Sequence, residues 1–206
     1  TEKNLMKIYL LDSEYLSWSK KQSDVLANLR PKKQFPELIQ ICIKEIFTKK
    51  KSEKIKYFKP KHYEFYPYRI SKLTGIKKNF LNKNGLDFQE AYKIITNFLP
   101  KNSLVISNGD DHKILDSNIK KNKIKKKNKN IYLLNIYEII KDEKIFLSFK
   151  KFHFINTETI KKTLKLKIKS HNAINDVNIL NKCLKIIKFK KTDLENYKKL
   201  FKLYKI

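Results

Sequence analysis

Two carboxylates separated by one residue follow an apolar segment near the start of the sequence. The segment is "IYLLDSEYLSW", residues 8–18, in which Asp12 and Glu14 follow the apolar residues. Side chains alternate across a β-strand, so positions i and i+2 point to the same face. Two neighbouring anions repel each other unless a positive charge lies between them. A solvated strand end is one interpretation of this spacing, and a divalent-metal site is the other.

Further acidic residues lie where an α/β sheet usually places its chemistry, at the ends of strands. Asp110 and Asp111 follow the apolar segment "LVIS", and Asp176 lies five residues after His171. In an ideal helix five residues turn about 500°, which leaves roughly 140° between the two side chains. His171 and Asp176 can therefore share a site only if His171 precedes the helix or begins its first turn.

The apolar pattern of the chain predicts an α/β domain with a mixed sheet, and we expect residues 1–206 to form one domain. A polar loop is predicted over 19–36 and a short turn, "LTGI", over 73–76. The predicted strands lie at 5–12, 37–47, 51–60 and 103–110, and the predicted helices at 87–99, 157–168, 170–187, from about 110 and from Thr192.

The charge of the chain is consistent with a nucleic-acid partner. The formal net charge is +28, and only two of the 48 basic residues are arginine. A polyanion will be attracted whatever the origin of the lysines, although an A+T-rich coding sequence also produces a lysine excess. The run "KKNKIKKKNKN", 120–130, serves either solubility or phosphate contact. Isolated cysteines and the absence of a long apolar run predict a cytoplasmic protein with no membrane partner.

Taken together and in order, the acidic motifs resemble a known family. The "DSE" segment, "NGDDHKIL" and "HNAIND" are similar to the three motifs of the DEDDh 3′–5′ exonucleases. The late motif of that family is HxxxxD, which His171 and Asp176 match. Its middle motif places an Asp four residues before a Leu, which Asp111 and Leu115 match. The segments "DSEYLSW" and "PELIQICIKEI" look most like the small stand-alone exoribonuclease-type subgroup.

The resemblance implies an RNase H-like mixed β-sheet flanked by helices. It also implies a metal-dependent 3′–5′ exonuclease that hydrolyses single-stranded RNA or DNA, with RNA favoured over DNA by the subgroup. Two divalent ions, Mg²⁺ or Mn²⁺, would be held by Asp12, Glu14, Asp111 and Asp176. Histidine changes its protonation near neutral pH, so His171 would be the general base.

The resemblance further implies a pocket for the 3′-terminal nucleotide. Its residues would come from the segment just after the first acidic pair and from the "LTGI" turn, namely Tyr15, Trp18, Leu73, Thr74 and Ile76. Aromatic rings can stack on an unpaired base, and core packing is the alternative role for Trp18.

Two further hypotheses come from other functional classes. A non-catalytic, lysine-rich nucleic-acid-binding protein could keep the same fold. A basic structural protein of a ribonucleoprotein would need the charge alone. Divalent-metal binding separates the enzyme from both, because only the enzyme requires it.

Overall fold

One mixed β-sheet organises the described part of the chain, which covers residues 6–17, 35–50, 52–63, 66–142 and 155–206 of this computed structural model. The strands are β1 (Ile8–Leu16), β2 (Glu37–Ile46), β3 (Glu53–Tyr57), β4 (Leu104–Ser107), β5 (Asn130–Asn135) and β6 (Lys202–Lys205). Their order in the sheet is β3-β2-β1-β4-β5-β6. The central pairs β1–β4 and β4–β5 are parallel, and the outer pairs are antiparallel.

Helices cover both faces of this sheet. The helices are α1 (Tyr68–Thr74), α2 (Lys78–Asn84), α3 (Phe88–Phe98), α4 (Asp111–Lys121), α5 (Ile136–Ile140), α6 (Thr157–Thr163), α7 (Ala173–Ile186) and a 3₁₀ helix (Lys191–Leu200). On one face β1 and β4 pack against α3 and α4, and on the other they pack against α5, α6, α7 and the 3₁₀ helix. A third cluster joins the end of β1 to α1 and α2. This is the predicted class, a mixed sheet flanked by helices.

Strand β1 is longer than predicted. The expected strand ended at Asp12, whereas the observed one continues to Leu16 because its antiparallel pairing with β2 continues. Asp12 and Glu14 therefore lie inside the strand rather than at its end. A β-bulge between Glu14 and Tyr15 shifts the register with β2, and bulges next to functional sites re-aim side chains in this way.

The parallel pairing of β1 and β4 brings two distant segments together. Leu11 of β1 lies opposite Ser107, the last residue of β4. The chain leaving β4 must therefore pass beside Asp12. Gly109 in this connection has φ of +127°, a conformation that residues with a Cβ rarely adopt. The turn places the first residue of α4, Asp111, next to β1.

Three local features differ from the predictions. The turn predicted over 73–76 is only partly a turn, because Leu73 and Thr74 end α1 and Gly75 is its left-handed C-cap. The predicted helix from Thr192 is a 3₁₀ helix. The short strand β6, which follows it, was not predicted, and it forms by pairing with β5. The loop predicted over 19–36 lies almost entirely outside the described residues.

Within the described ranges, no helix combines the length and the apolar character that a membrane crossing requires. Cys42 and Cys183 are both buried free thiols.

We expect the packing of α7 against the sheet to be a main source of stability. Leu180 is 0% exposed in the cluster that joins α7 to β1 and β4. Leu180→Ala should lower the free energy of unfolding by about 2–5 kcal/mol, because the lost methyl groups leave a cavity. Urea denaturation followed by circular dichroism would measure the change. Ile186→Ala is the matched control, since Ile186 is 48% exposed, and an equal loss in both variants would contradict this role for α7.

Candidate metal and nucleotide site

Acidic residues from three elements converge on one pocket. It lies between β1, the beginning of α4 and the beginning of α7, and has a volume of about 340 Å³. Asp12 and Glu14 come from β1, Asp111 from α4 and Asp176 from the first turn of α7, and His171 lies just before that helix. The structure thus brings together all five residues of the predicted acid and histidine set.

Three of the carboxylates are close enough to share one cation. Asp12, Glu14 and Asp176 each offer an oxygen, and these oxygens lie within 4.8 Å of one another. The alternation of β1 explains the geometry. Ile8 and Leu10 pack on the α7 side of the sheet, so Asp12 and Glu14 continue that face towards Asp176.

Asp111 occupies the pocket but is not part of this group of three. Its Oδ1 accepts a hydrogen bond of 2.5 Å from the Ser13 hydroxyl, which lies on the opposite face of β1 from Asp12 and Glu14. The neighbouring Asp110 is exposed and forms an ion pair of 2.7 Å with Lys113. The fold therefore ties the Asp111 carboxylate to β1, whereas it pairs the Asp110 carboxylate with a surface lysine.

His171 precedes α7, which is one of the two placements that sharing a site with Asp176 allowed. The N-cap of the helix is Asn172, and the backbone N–H of His171 donates to Asp176 Oδ2 at 3.1 Å. His171 has a left-handed backbone, with φ of +63°. Its imidazole lines the pocket and has no hydrogen-bond partner among the residues that the structure describes.

Two positioning contacts were not foreseen from the sequence. Gln40 of β2 is fully buried, and its Oε1 accepts from the backbone N–H of Ala173 at 2.9 Å. This contact ties the beginning of α7 to the sheet. On the other side of His171, the Ser170 hydroxyl donates to Glu158, which also pairs with Lys161 at 2.8 Å. A polar residue, Gln40, inside an otherwise apolar strand was the one feature of the sequence that could have indicated the first contact. Nothing in the sequence indicated the contact of Glu158.

The electrostatics of the pocket favour bound protons or cations. Burial first, and then the charges of Asp176 and Asp111, raise the pKa of Glu14 to about 8. The pKa of Asp12 is well above its usual range, through burial first and then through Asp111, Asp176 and Glu14. Burial also raises the pKa of Asp176.

Two of these buried oxygens lack a hydrogen-bond donor. Asp12 Oδ2 and Asp176 Oδ1 have no partner among the described residues. Buried acceptors without partners are uncommon, because they lose hydration without compensation. Carboxylate oxygens are the ligands that Mg²⁺ and Mn²⁺ prefer. The donor set therefore fits a divalent cation.

Only some of the residues expected to contact the nucleotide line the pocket. Tyr15, Leu73 and Thr74 line the pocket. Ile76 is not among the residues that line the pocket, and it packs in the cluster with Leu16. Its predicted contact with substrate stays a prediction. Trp18 lies outside the described residues.

The acidic cluster predicts a stability that depends on pH and metal. The pKa of Glu14 is higher in the folded chain than its ordinary 4.5, so the folded state holds this proton more tightly. Without metal, the free energy of unfolding should therefore fall as the pH rises from about 4.5 to about 8. Glu14→Gln removes this titration, so at pH 8 in EDTA the variant should be the more stable by on the order of 2 kcal/mol.

Urea denaturation at pH 5, 6.5 and 8 would measure both proteins, in EDTA and in Mn²⁺. Mn²⁺ should stabilise the wild type at pH 8 more than it stabilises Glu14→Gln. Asp110→Asn is the control, since it removes a carboxylate outside the group of three. Parallel pH curves for wild type and Glu14→Gln would show that Glu14 does not titrate as described.

The fold of this chain is similar to that of several solved nuclease structures. No family model matches the sequence, and no curated protein matches it. Cell-death related nuclease 4 superposes with a TM-score of 0.63 at 17% identity, over 92% of this chain and 64% of that chain. The nuclease domain of 3′hExo, a DEDDh family member solved with rAMP, gives 0.61 at 12% identity over the whole of both chains.

Escherichia coli Exonuclease I, solved with a dA13 oligonucleotide, gives a TM-score of 0.64 at 12% identity, over 93% of this chain and 42% of that chain. The chain thus spans under two thirds of the length of two of these three proteins. At such identities the likeness concerns the fold. It confirms the architecture that the motifs implied: the chain has the RNase H-like fold of the DEDDh 3′-exonucleases.

Proposed function

We propose that the chain is a divalent-metal-dependent 3′–5′ exonuclease that removes nucleotides from single-stranded RNA or DNA. One observation carries the proposal. Asp12, Glu14 and Asp176 place three carboxylate oxygens within 4.8 Å, in a pocket that His171 also lines. The fold supports it, because the solved neighbours are nucleases, one of them with a bound oligonucleotide.

We assign the carboxylates to metal binding. Asp12, Glu14, Asp111 and Asp176 would hold two Mg²⁺ or Mn²⁺ ions. Such ions stabilise charge on the attacking and leaving oxygens of a phosphodiester and lower the pKa of a bound water. The carboxylates themselves remain acceptors, and Ser13 keeps Asp111 in position through its hydroxyl.

We assign the proton transfer to His171. An imidazole that lines the pocket without a hydrogen-bond partner can accept a proton from the attacking water. The contact between Asp176 and the backbone of His171 fixes the residue beside the acidic cluster. Asp176 would therefore bind metal through one oxygen and position the base through the other.

We assign the recognition of the terminal nucleotide to Tyr15, Leu73 and Thr74, which line the pocket. Tyr15 and Leu73 are each 37% exposed, so both can contact a nucleotide that enters the pocket. Thr74 lies beside them, although its hydroxyl donates to the backbone carbonyl of Ile70. A strand with a free 3′ end would then present its last phosphodiester to the carboxylates.

The test uses single-stranded RNA and DNA of the same sequence, each labelled at the 5′ end. With Mg²⁺ or Mn²⁺, we expect a ladder that shortens from the 3′ end, and no ladder in EDTA. Asp12→Ala should give no ladder under any condition. The two ladders also rank the sugars. Retained binding with no ladder on either strand would instead favour a non-catalytic nucleic-acid-binding protein.

The two neighbouring aspartates give a matched pair of variants. Asp111→Asn should lower turnover by more than about 100-fold. Mutating a residue that only hydrogen-bonds to a metal ligand typically costs about 10–100-fold in activity, and the loss of a direct ligand should cost more. Asp110→Asn should stay near the wild type, because Asp110 pairs with Lys113 at the surface. Single-turnover rates and melting temperatures would be measured together. A dead Asp110→Asn with an active Asp111→Asn would show that the roles are reversed.

A further inference from the structure

A second groove adjoins the carboxylate pocket. It has a volume of about 410 Å³ and lies between α1 and the segment that joins α6 to α7. Leu73, Glu158, Ser170 and His171 line both the groove and the pocket. A ligand that fills the pocket can therefore continue into the groove past His171.

The groove is lined by basic side chains that are not engaged in ion pairs within the described residues. Arg69, Lys72 and Lys169 line it and are exposed. Within the described parts of the chain, none of the three side chains forms an ion pair or a hydrogen bond. The one acidic residue of the groove, Glu158, is paired with Lys161 and Lys162. The groove thus presents three cations without a balancing free anion.

Two lysines of the lysine-rich run are already engaged by other side chains. In the run over 120–130, Lys126 pairs with Asp116 at 2.5 Å and Lys127 bonds to Asn97 at 2.6 Å. Arg69 is one of only two arginines in the sequence. A guanidinium binds phosphate through two parallel hydrogen bonds, which an ammonium group cannot form. The chain has therefore placed a scarce phosphate-binding side chain in this groove.

An exposed aromatic residue lies on the same helix as two of these cations. Tyr68 is 75% exposed, precedes Arg69 and lies one helical turn before Lys72. Sites for single-stranded nucleic acid combine a basic groove with rings on which bases stack. This combination favours a polynucleotide over a simple anion as the occupant.

We propose that this basic groove binds the phosphates of the substrate strand immediately 5′ of the nucleotide in the carboxylate pocket, through Arg69, Lys72 and Lys169. The inference rests on the proposed function for the direction of the strand. The groove contributes affinity for long strands, and the carboxylate pocket carries out the hydrolysis. A dinucleotide reaches little of the groove, whereas a dodecanucleotide crosses it.

The experiment compares these two substrates in the triple variant Arg69→Ala/Lys72→Ala/Lys169→Ala. For the dodecanucleotide, KM should rise by about 10–100-fold with kcat unchanged, while kcat/KM for the dinucleotide stays within about twofold. Fluorescence anisotropy of the labelled dodecanucleotide in EDTA gives a readout without turnover. In that experiment the plot of log K against log salt should become less steep by about 2, because three phosphate contacts are lost and each contributes roughly 0.7 to the slope of a single strand.

The matched control is Lys93→Ala/Lys182→Ala/Lys185→Ala, which removes the same charge from exposed helix positions that do not line the groove. It should leave most of the binding intact. Equal losses in both triple variants would overturn the proposal, because overall charge would then explain the binding. A parallel loss of dinucleotide turnover would also overturn it, by placing the three cations at the reacting phosphate.

A failure of the proposed function gives a different result. If the wild type cleaves neither substrate, the exonuclease assignment is wrong, while the anisotropy experiment still judges the groove. Arg69→Lys gives a finer test, because it keeps the charge and loses the paired hydrogen bonds. It should keep most of the salt slope and lose part of the affinity, and an affinity equal to the wild type would remove the special role of Arg69.

Discussion

The mutual repulsion of three carboxylates is the constraint on which the rest of this structure depends. Two unit charges about 4 Å apart repel by about 4 kcal/mol near a protein surface, and the oxygens of Asp12, Glu14 and Asp176 lie within 4.8 Å of one another. The chain can hold them there only on rigid elements. Asp12 and Glu14 belong to a central strand covered by helices on both faces, and Asp176 belongs to the helix packed on that strand.

The convergence is fixed by long-range contacts at both ends of the site. The parallel register of β1 and β4 determines where the chain turns into α4, and hence where Asp111 lies. At the other end, Gln40 bonds to the backbone at the start of α7, 133 residues further along the chain. Each contact uses a backbone group or a fully buried side chain. The pocket therefore keeps its shape although its charges repel.

The sequence predicted the parts of the site that depend on local periodicity. The spacing of two residues put Asp12 and Glu14 on one face, and the helical angle required His171 either to precede α7 or to begin its first turn. The end of β1 was wrong because a strand can continue through polar residues when a neighbouring strand pairs with them. Ile76 was expected in the pocket, but it is not among the residues that line the pocket and packs in the cluster with Leu16. Glu158 could not be found, since only the fold brings it to Ser170.

Net charge and the placement of charge have different consequences here. A net charge of +28 attracts any polyanion that comes within about a Debye length of the surface. The pocket itself is lined by carboxylates, which repel a phosphate. Cations bound by the carboxylates would reverse that local sign. Metal and nucleic acid should then strengthen each other's binding by the same factor, as linkage requires. The basic groove needs no such reversal, so it can hold a strand before the pocket accepts its 3′ end. Under the proposed function, the groove would provide affinity and the acidic pocket would make hydrolysis conditional on metal.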